Sequence, residues 1–61
     1  MKDIKKLREE RGLSQKELAE KSGIAQSAIS YIENKRTNSE IYTIVRLAKA
    51  LGVTVEYLLE E

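Results

Sequence analysis

The side chains that carry most enzyme chemistry are missing from this chain of 61 residues. It contains no His and no Cys, and its only Asp is Asp3. Without them it lacks the commonest general base, a thiol nucleophile and the usual zinc ligands, and no disulfide can form. We therefore expect a binding function and no enzyme, metal site or cofactor.

Basic groups are the second chemical feature, and they are unevenly distributed although the net charge is only +1. Five lie near the start of the chain and two form a central pair: Lys2, Lys5, Lys6, Arg8 and Arg11, then Lys35 and Arg36. The tail, residues 56–61, carries acids and no base. If an anion binds, we expect the tail to face away from it, although such charges can equally be solvated helix surfaces.

Between the basic residues near the start of the chain and the central basic pair lies an uncharged stretch, SGIAQSAISYI, at residues 22–32. It stands out because 34% of the chain is Asp, Glu, Lys or Arg. Its polar members are Gln, Ser and Tyr, which are ordinary surface residues and are also hydrogen-bonding groups without charge.

The elements that hold this stretch are predicted to be helices. Ile4 and Leu7 give a first helix, which Gly12 is placed to end. The sequence SQKE, from Ser14 to Glu17, is a capping box that starts a second helix, and Gly23 ends it. A third helix follows at once, with apolar residues spaced by three or four: Ile24, Ala28, Ile29 and Ile32.

Two more helices are predicted after the polar connector NKRTNS. The fourth starts with Asn38 or Ser39 as its cap, ends at Gly52 and carries a broad apolar stripe: Ile41, Ile44, Val45, Leu47, Ala48 and Leu51. The fifth is capped by Thr54 and points three apolar residues inward: Val55, Leu58 and Leu59. The predicted fold class is all-α, a compact bundle of five short helices in a single domain, residues 1–61.

The chain has no apolar run near the roughly 20 residues that span a bilayer, and its first residues, MKDIKKLREE, are charged where a signal peptide is apolar. We expect a soluble, cytoplasmic protein with no membrane partner.

The second and third helices together have the spacing of a helix-turn-helix, at about residues 14–33. Gly23 suits the tight turn, and Ala19, Ile29 and Ile32 suit the close crossing of the two helices. With the segments LREERGLSQKELAEKSGI, YIEN and LAKALGVTVEYLLEE, this pattern resembles the Cro/phage-repressor-type helix-turn-helix DNA-binding family, which includes the xenobiotic-response-element-like transcriptional regulators. The resemblance covers essentially the whole chain and implies a lambda-repressor-like DNA-binding domain.

The resemblance implies that the third helix enters the major groove of DNA. Carboxylates are unfavourable beside the phosphates, which explains the uncharged stretch, and Gln can pair with adenine. The implied base-contacting residues lie along that helix: Ala25, Gln26, Ser27, Ser30 and Tyr31. The implied phosphate-contacting residues flank it: Gln15, Asn34, Lys35, Arg36, Tyr42 and Thr43.

The resemblance also implies a structural role for Arg8 and Glu33, as a largely buried ion pair that ties the first helix to the third. The chain departs from the family pattern twice. Lys35 stands where Gly is common, and Ser39 stands where Pro is common.

The favoured function is a sequence-specific regulator of transcription that binds double-stranded DNA, a repressor, at a near-palindromic operator. We expect a weak or DNA-induced homodimer, with GVTVEYLL and Tyr57, or the loop before the fourth helix, as its contact, and no small-molecule ligand. One alternative is a protein-interaction module of the antitoxin or adaptor type. Another is a consensus-like or truncated chain with an intact fold and weak binding.

Overall fold

A computed structural model describes residues 1–35 and 40–60 of the chain. These residues form five helices and no strand: α1 (Ile4–Glu10), α2 (Gln15–Ser22), α3 (Gln26–Lys35), α4 (Ile41–Leu51) and α5 (Val55–Leu59). The all-α prediction is confirmed. None of these helices has the length and apolar character needed to cross a bilayer.

Side-chain caps start three of the helices. The Asp3 carboxylate accepts from the backbone N–H of Lys6 at 3.1 Å at the start of α1. At α2 the predicted capping box is present, because Ser14 Oγ accepts from the Glu17 N–H at 3.0 Å and Glu17 Oε1 accepts from the Ser14 N–H at 2.8 Å. Thr54 caps α5 as predicted. These bonds satisfy N–H groups that have no partner inside a helix.

The helix ends also follow local chemistry. Gly23 ends α2 in the left-handed conformation, with φ +74°, and its N–H donates to Ala19 O at 2.9 Å. A side chain with a Cβ is strained at this φ, so Gly allows the chain to turn sharply from α2 into α3. Gly52 ends α4 in the same way.

The core lies where α2 packs against both α3 and α4, with α1 against α3 and α5 against α4. Its largest fully buried side chains come from four of the helices: Leu18, Ile29, Ile44, Leu47 and Leu58. The chain start is fixed to α5 by a backbone hydrogen bond of 2.8 Å from Lys2 N to Leu58 O. The helix pair α2–α3 is therefore packed against α1 and α4.

Three residues of the predicted apolar faces of α4 and α5 are exposed: Ile41 by 65%, Val45 by 38% and Leu59 by 43%. In α4 the buried arc runs from Ala48 through Leu47 to Thr43 and Ala50. At about 100° per residue, Ile41 and Val45 lie just beyond the edge of the arc that Ala48 forms. The apolar stripe is broader than the surface that α2 and α5 cover, so its edge faces solvent.

The boundaries of α3 and α4 also differ from the prediction. Helix α3 continues through Asn34 and Lys35, which were assigned to the connector. Helix α4 begins at Ile41 with Glu40 as its N-cap residue, and no side-chain hydrogen bond caps it. The predicted caps, Asn38 and Ser39, lie outside the described residues.

Candidate nucleic-acid interface

The orientation of α3 is fixed by the apolar residues on its inner side. Ile24, just before the helix, is 9% exposed, Ile29 is 0% exposed and Ile32 is 3% exposed. The turn before α3 is held by the N–H of Ile24, which donates to Ser22 Oγ at 3.3 Å. Because the inner side is anchored at both ends, the residues on the other side of α3 form a defined outer face.

This outer face is the uncharged stretch seen in the sequence. Ala25, Gln26, Ser27 and Tyr31 are exposed, and Ser30 is half-buried. The side chains of Gln26 and Ser27 make no hydrogen bond to the rest of the described chain. Their donors and acceptors are thus available to a partner. We call these five residues the α3 face.

Polar and basic residues lie beside the α3 face. Asn34 and Lys35 are exposed at the end of α3, and Asn34 Nδ2 donates to Ser30 Oγ at 3.5 Å. Tyr42 is 57% exposed in the first turn of α4, whereas Thr43 is only 8% exposed because it lies on the buried arc of that helix. Thr43 therefore has little side-chain surface for a phosphate contact. Arg36, also predicted to contact phosphate, lies outside the described residues.

Arg8 and Glu33 form a two-point ion pair between α1 and α3. Arg8 Nε lies 2.8 Å from Glu33 Oε2, and Arg8 Nη2 lies 3.2 Å from Glu33 Oε1. Their side chains are only 10% and 2% exposed. A third donor, Gln15 Nε2, reaches Glu33 Oε1 at 2.9 Å, and Arg8 Nη1 donates to Leu13 O at 2.8 Å. These contacts tie α1, α2 and α3 together at one point.

The hydrogen bonds to Glu33 raise the pKa of the Arg8 guanidinium above its ordinary value, although desolvation opposes this effect. The Arg8 charge is thus fixed in the folded protein. At the start of α2, the hydrogen bond from the Ser14 backbone lowers the pKa of Glu17 below its ordinary value. Both groups are stabilised in their charged forms, but neither belongs to the α3 face. Their role is to hold the helices that present it.

Gln15 was predicted to contact phosphate, and in the structure its side chain bonds to Glu33. The amide nitrogen donates to Glu33, and the residue is half-buried at the first position of α2. The sequence pattern around Ser14 identified the start of this helix but gave no sign that Gln15 joins the ion pair.

Arg46 of α4 is beside this surface and was missed in the sequence interpretation. It is exposed, and its Nη1 donates to Gly23 O at 3.4 Å in the turn before α3. Its guanidinium carbon lies 6.0 Å from the centroid of the Tyr42 ring. The spacing of Tyr42 and Arg46, four residues apart on one helix, is a signal that could have identified the pair.

The arrangement suits hydrogen bonding to a polar and anionic partner. Residues 1–35 and 40–60 contain no group of three or more His, Cys, Asp or Glu side chains that could hold a metal ion. What they provide instead is an uncharged helix face between cationic groups, with Lys35 near one end of α3 and Arg46 near the other.

Comparison with known proteins gives consistent matches. A helix-turn-helix family model matches residues 4–58. The HTH-type transcriptional regulator SinR of Bacillus subtilis is 46% identical over 59 residues, which are 95% of this chain and 53% of SinR. The immunity repressor protein of Bacillus phage phi105 is 40% identical over 58 residues, which are 95% of this chain and 40% of that protein.

A crystal structure of SinR in complex with DNA has the same fold, with a TM-score of 0.87 and 43% sequence identity. The match covers 93% of this chain and 92% of that one. The chain spans about half of SinR and less of the phage repressor.

Proposed function

Because the chain belongs to the Cro/phage-repressor-type helix-turn-helix family, we propose that it is a sequence-specific transcriptional regulator, a repressor, that binds double-stranded DNA. The proposed role is one of binding without catalysis, in the cytoplasm. The similarity to a phage immunity repressor and to SinR, which has a structure in complex with DNA, supports this proposal.

The observation that carries the proposal is the exposed and uncharged α3 face. The major groove of B-DNA is about 12 Å wide and accepts one α-helix, whose outer side chains then meet the edges of the bases. Gln26, exposed in the first turn of α3, can donate and accept at once and so pairs with adenine. Ser27 and Ser30 can bond several bases, Ala25 can contact a thymine methyl group, and Tyr31 can reach a base or a phosphate.

Phosphate contacts set the register of the protein on the duplex without selecting sequence. Lys35 supplies positive charge at the end of α3, next to Asn34, and Tyr42 supplies a hydroxyl group from the start of α4. Arg36 belongs to this proposed set by its place in the sequence. For Gln15, a phosphate contact is compatible with the observed bond to Glu33 if the backbone N–H at the start of α2 is the donor.

The operator is proposed to be near-palindromic and bound by a weak or DNA-induced homodimer. In this arrangement the two α3 helices lie one DNA turn apart, about 34 Å. Tyr57 on α5 is 39% exposed, and the ammonium group of Lys2 lies 4.8 Å from its ring centroid. Part of this ring is therefore covered within the protomer, which is consistent with a small contact at GVTVEYLL.

Selection of bound sequences from a random pool of duplex DNA, at two salt concentrations, tests the proposal. We expect enrichment of a two-fold symmetric motif, whose half-site spacing gives the dimer geometry. Retention that falls with salt but selects no motif would contradict sequence-specific binding. Binding to phosphates is strongest at the lower salt concentration. No retention at either salt concentration would therefore contradict DNA binding and favour the protein-interaction alternative.

A further inference from the structure

Arg46 connects the turn before α3 to the first turn of α4. Its Nη1 donates to the carbonyl oxygen of Gly23 at 3.4 Å, and the guanidinium lies 6.0 Å from the Tyr42 ring centroid, within the range of a cation–π contact. Gly23 comes three residues before Gln26, the first residue of α3. The charge is therefore held beside the beginning of the α3 face.

The Arg46 charge is not neutralised in the described part of the protein. No carboxylate of residues 1–35 or 40–60 forms an ion pair with it, and its one hydrogen bond goes to a neutral carbonyl. A guanidinium carries five N–H donors in a planar fork, so most of its donors remain available. Such a fork matches the geometry of phosphate, to which it can donate two parallel hydrogen bonds.

We propose that Arg46 contacts a DNA phosphate and that the Gly23 carbonyl and the Tyr42 ring hold it in position for this contact; the inference rests on the proposed DNA-binding function. A helix in the major groove has a phosphate chain on either side, so an exposed cation beside the start of α3 faces the backbone rather than the bases. Lys35 occupies the corresponding place at the end of α3. The α3 face can then remain free of charge because the flanking cations supply the attraction.

A role in folding alone is the competing explanation, since the bond to Gly23 also joins α4 to the α2–α3 turn. The two explanations differ in what they predict for salt dependence. A phosphate contact releases counterions and contributes about 0.9 to the slope of log affinity against log salt, whereas a purely structural contact does not change this slope in a folded variant.

The experiment compares Arg46→Met with a matched control, Lys49→Met, which removes the same charge from the same helix. Lys49 is exposed one turn further along α4, where it lines a surface pocket with Arg11 and Lys21, and it makes neither the Gly23 nor the Tyr42 contact of Arg46. Dissociation constants are measured for the selected duplex and for a scrambled duplex, from about 50 to about 200 mM salt. Thermal unfolding of each variant establishes that it is folded.

We expect Arg46→Met to weaken binding to both duplexes by the same factor, roughly tenfold at the lower salt, and to lower the salt slope by about one. Lys49→Met should leave the slope within the error of the unmodified protein. Arg46→Lys should keep the slope, because the charge remains, but lose part of the affinity, because the planar fork is gone. Tyr42→Phe keeps the ring and the Arg46 charge and removes only the neutral hydroxyl proposed to contact phosphate, so it should lose part of the affinity without changing the slope.

An Arg46→Met variant that is folded and has the unmodified affinity and slope would overturn the inference while leaving DNA binding intact. Loss of discrimination between the two duplexes at an unchanged slope would also overturn it, because Arg46 would then contact bases. If the unmodified protein itself binds neither duplex in a salt-dependent way, the proposed function fails, and the inference fails with it.

Discussion

Removing one partner of the Arg8–Glu33 pair is the most severe single change that the structure offers outside the apolar core. The two side chains are 10% and 2% exposed and are joined at 2.8 and 3.2 Å. Among residues 1–35 and 40–60, the Glu33 carboxylate of Arg8→Met keeps one side-chain partner, Gln15. In the same part of the chain, the guanidinium of Glu33→Leu keeps the carbonyl of Leu13. Either variant leaves a largely buried charge without its counterion.

The size of the loss follows from this burial. Breaking a buried pair by removing one partner costs about 3 to 5 kcal/mol, whereas replacing both by apolar residues of similar volume is often close to neutral. A domain of this size has a free energy of unfolding of about 3 to 9 kcal/mol in total. Each single variant is therefore expected to be close to unfolding. The double variant should lose less stability than either single variant, so the coupling energy should be at least about 3 kcal/mol.

The assay is urea denaturation at pH 7, followed by circular dichroism, with trimethylamine oxide added to all samples so that the single variants fold. The ion pair raises the pKa of Arg8 in the folded state. The stability that the ion pair contributes is therefore complete below the unfolded-state pKa of Arg8 and is lost only as the pH rises through its folded-state pKa. A measurement at pH 7 thus contains the whole effect. Lys2→Met with Glu60→Leu is the control, because the Lys2 ammonium and the Glu60 carboxylate form an ion pair of 3.8 Å at the surface.

The control pair should have a coupling energy below about 0.5 kcal/mol, because exposed ion pairs contribute little. If the coupling between Arg8 and Glu33 falls in that same range, then the pair does not act as a unit, and the reasoning from burial and geometry is refuted.

Four further outcomes are expected from variants in the interface and at the helix ends. Gln26→Ala should change the preferred base at one operator position, whereas Lys35→Ala should weaken all sequences alike and lower the salt slope by about one, both measured by repeating the duplex selection and titration. An equal loss on every site for Gln26→Ala would contradict a direct base contact. The hydrogen bond from the Ser14 backbone lowers the pKa of Glu17 in the folded state. The stability that this bond contributes is therefore present above the unfolded-state pKa of Glu17 and is lost as the pH falls through its folded-state pKa. The stability difference between the unmodified protein and Glu17→Gln should thus shrink in acid, and a difference independent of pH would contradict this cause. Gly23→Ala should cost about 1 kcal/mol or more in urea denaturation, because Gly23 has φ +74°. An unchanged midpoint would contradict strain at this turn.

Much of the fold was predictable because it is encoded over three or four residues. The Ser14–Glu17 capping box, the left-handed Gly23 and the Thr54 cap all depend on neighbours in the chain, and the structure contains each of them. What local pattern could not give is how far a neighbouring helix extends over an apolar stripe. For that reason Ile41 and Val45 were assigned to the same apolar stripe as the core residues of α4, while the structure exposes them.

In the candidate site, too, features that depend on one helix could be predicted, and features that depend on how helices pack could not. The α3 face could be predicted because burial of Ile29 and Ile32 fixes which residues of one helix point outward. The position of Arg46 could not, since it depends on how α4 crosses the turn at Gly23, 23 residues earlier in the chain. Similarly, Thr43 follows Tyr42 directly, but the rotation of α4 exposes one and buries the other.

Gln15 links the stability of the fold to the position of the α3 face. Its amide donates to the same oxygen of Glu33 that accepts from Arg8 Nη2, so the start of α2 and the last turn of α1 are joined to α3 through one carboxylate. Glu33 lies one turn of helix beyond Ser30, on the element that carries the α3 face. A change at Arg8 or Gln15, neither of which lies on that face, therefore acts on it through Glu33, because the orientation of α3 depends on the bonds that this carboxylate accepts. Loss of DNA affinity in such a variant is evidence about the support of α3 and not about a base contact.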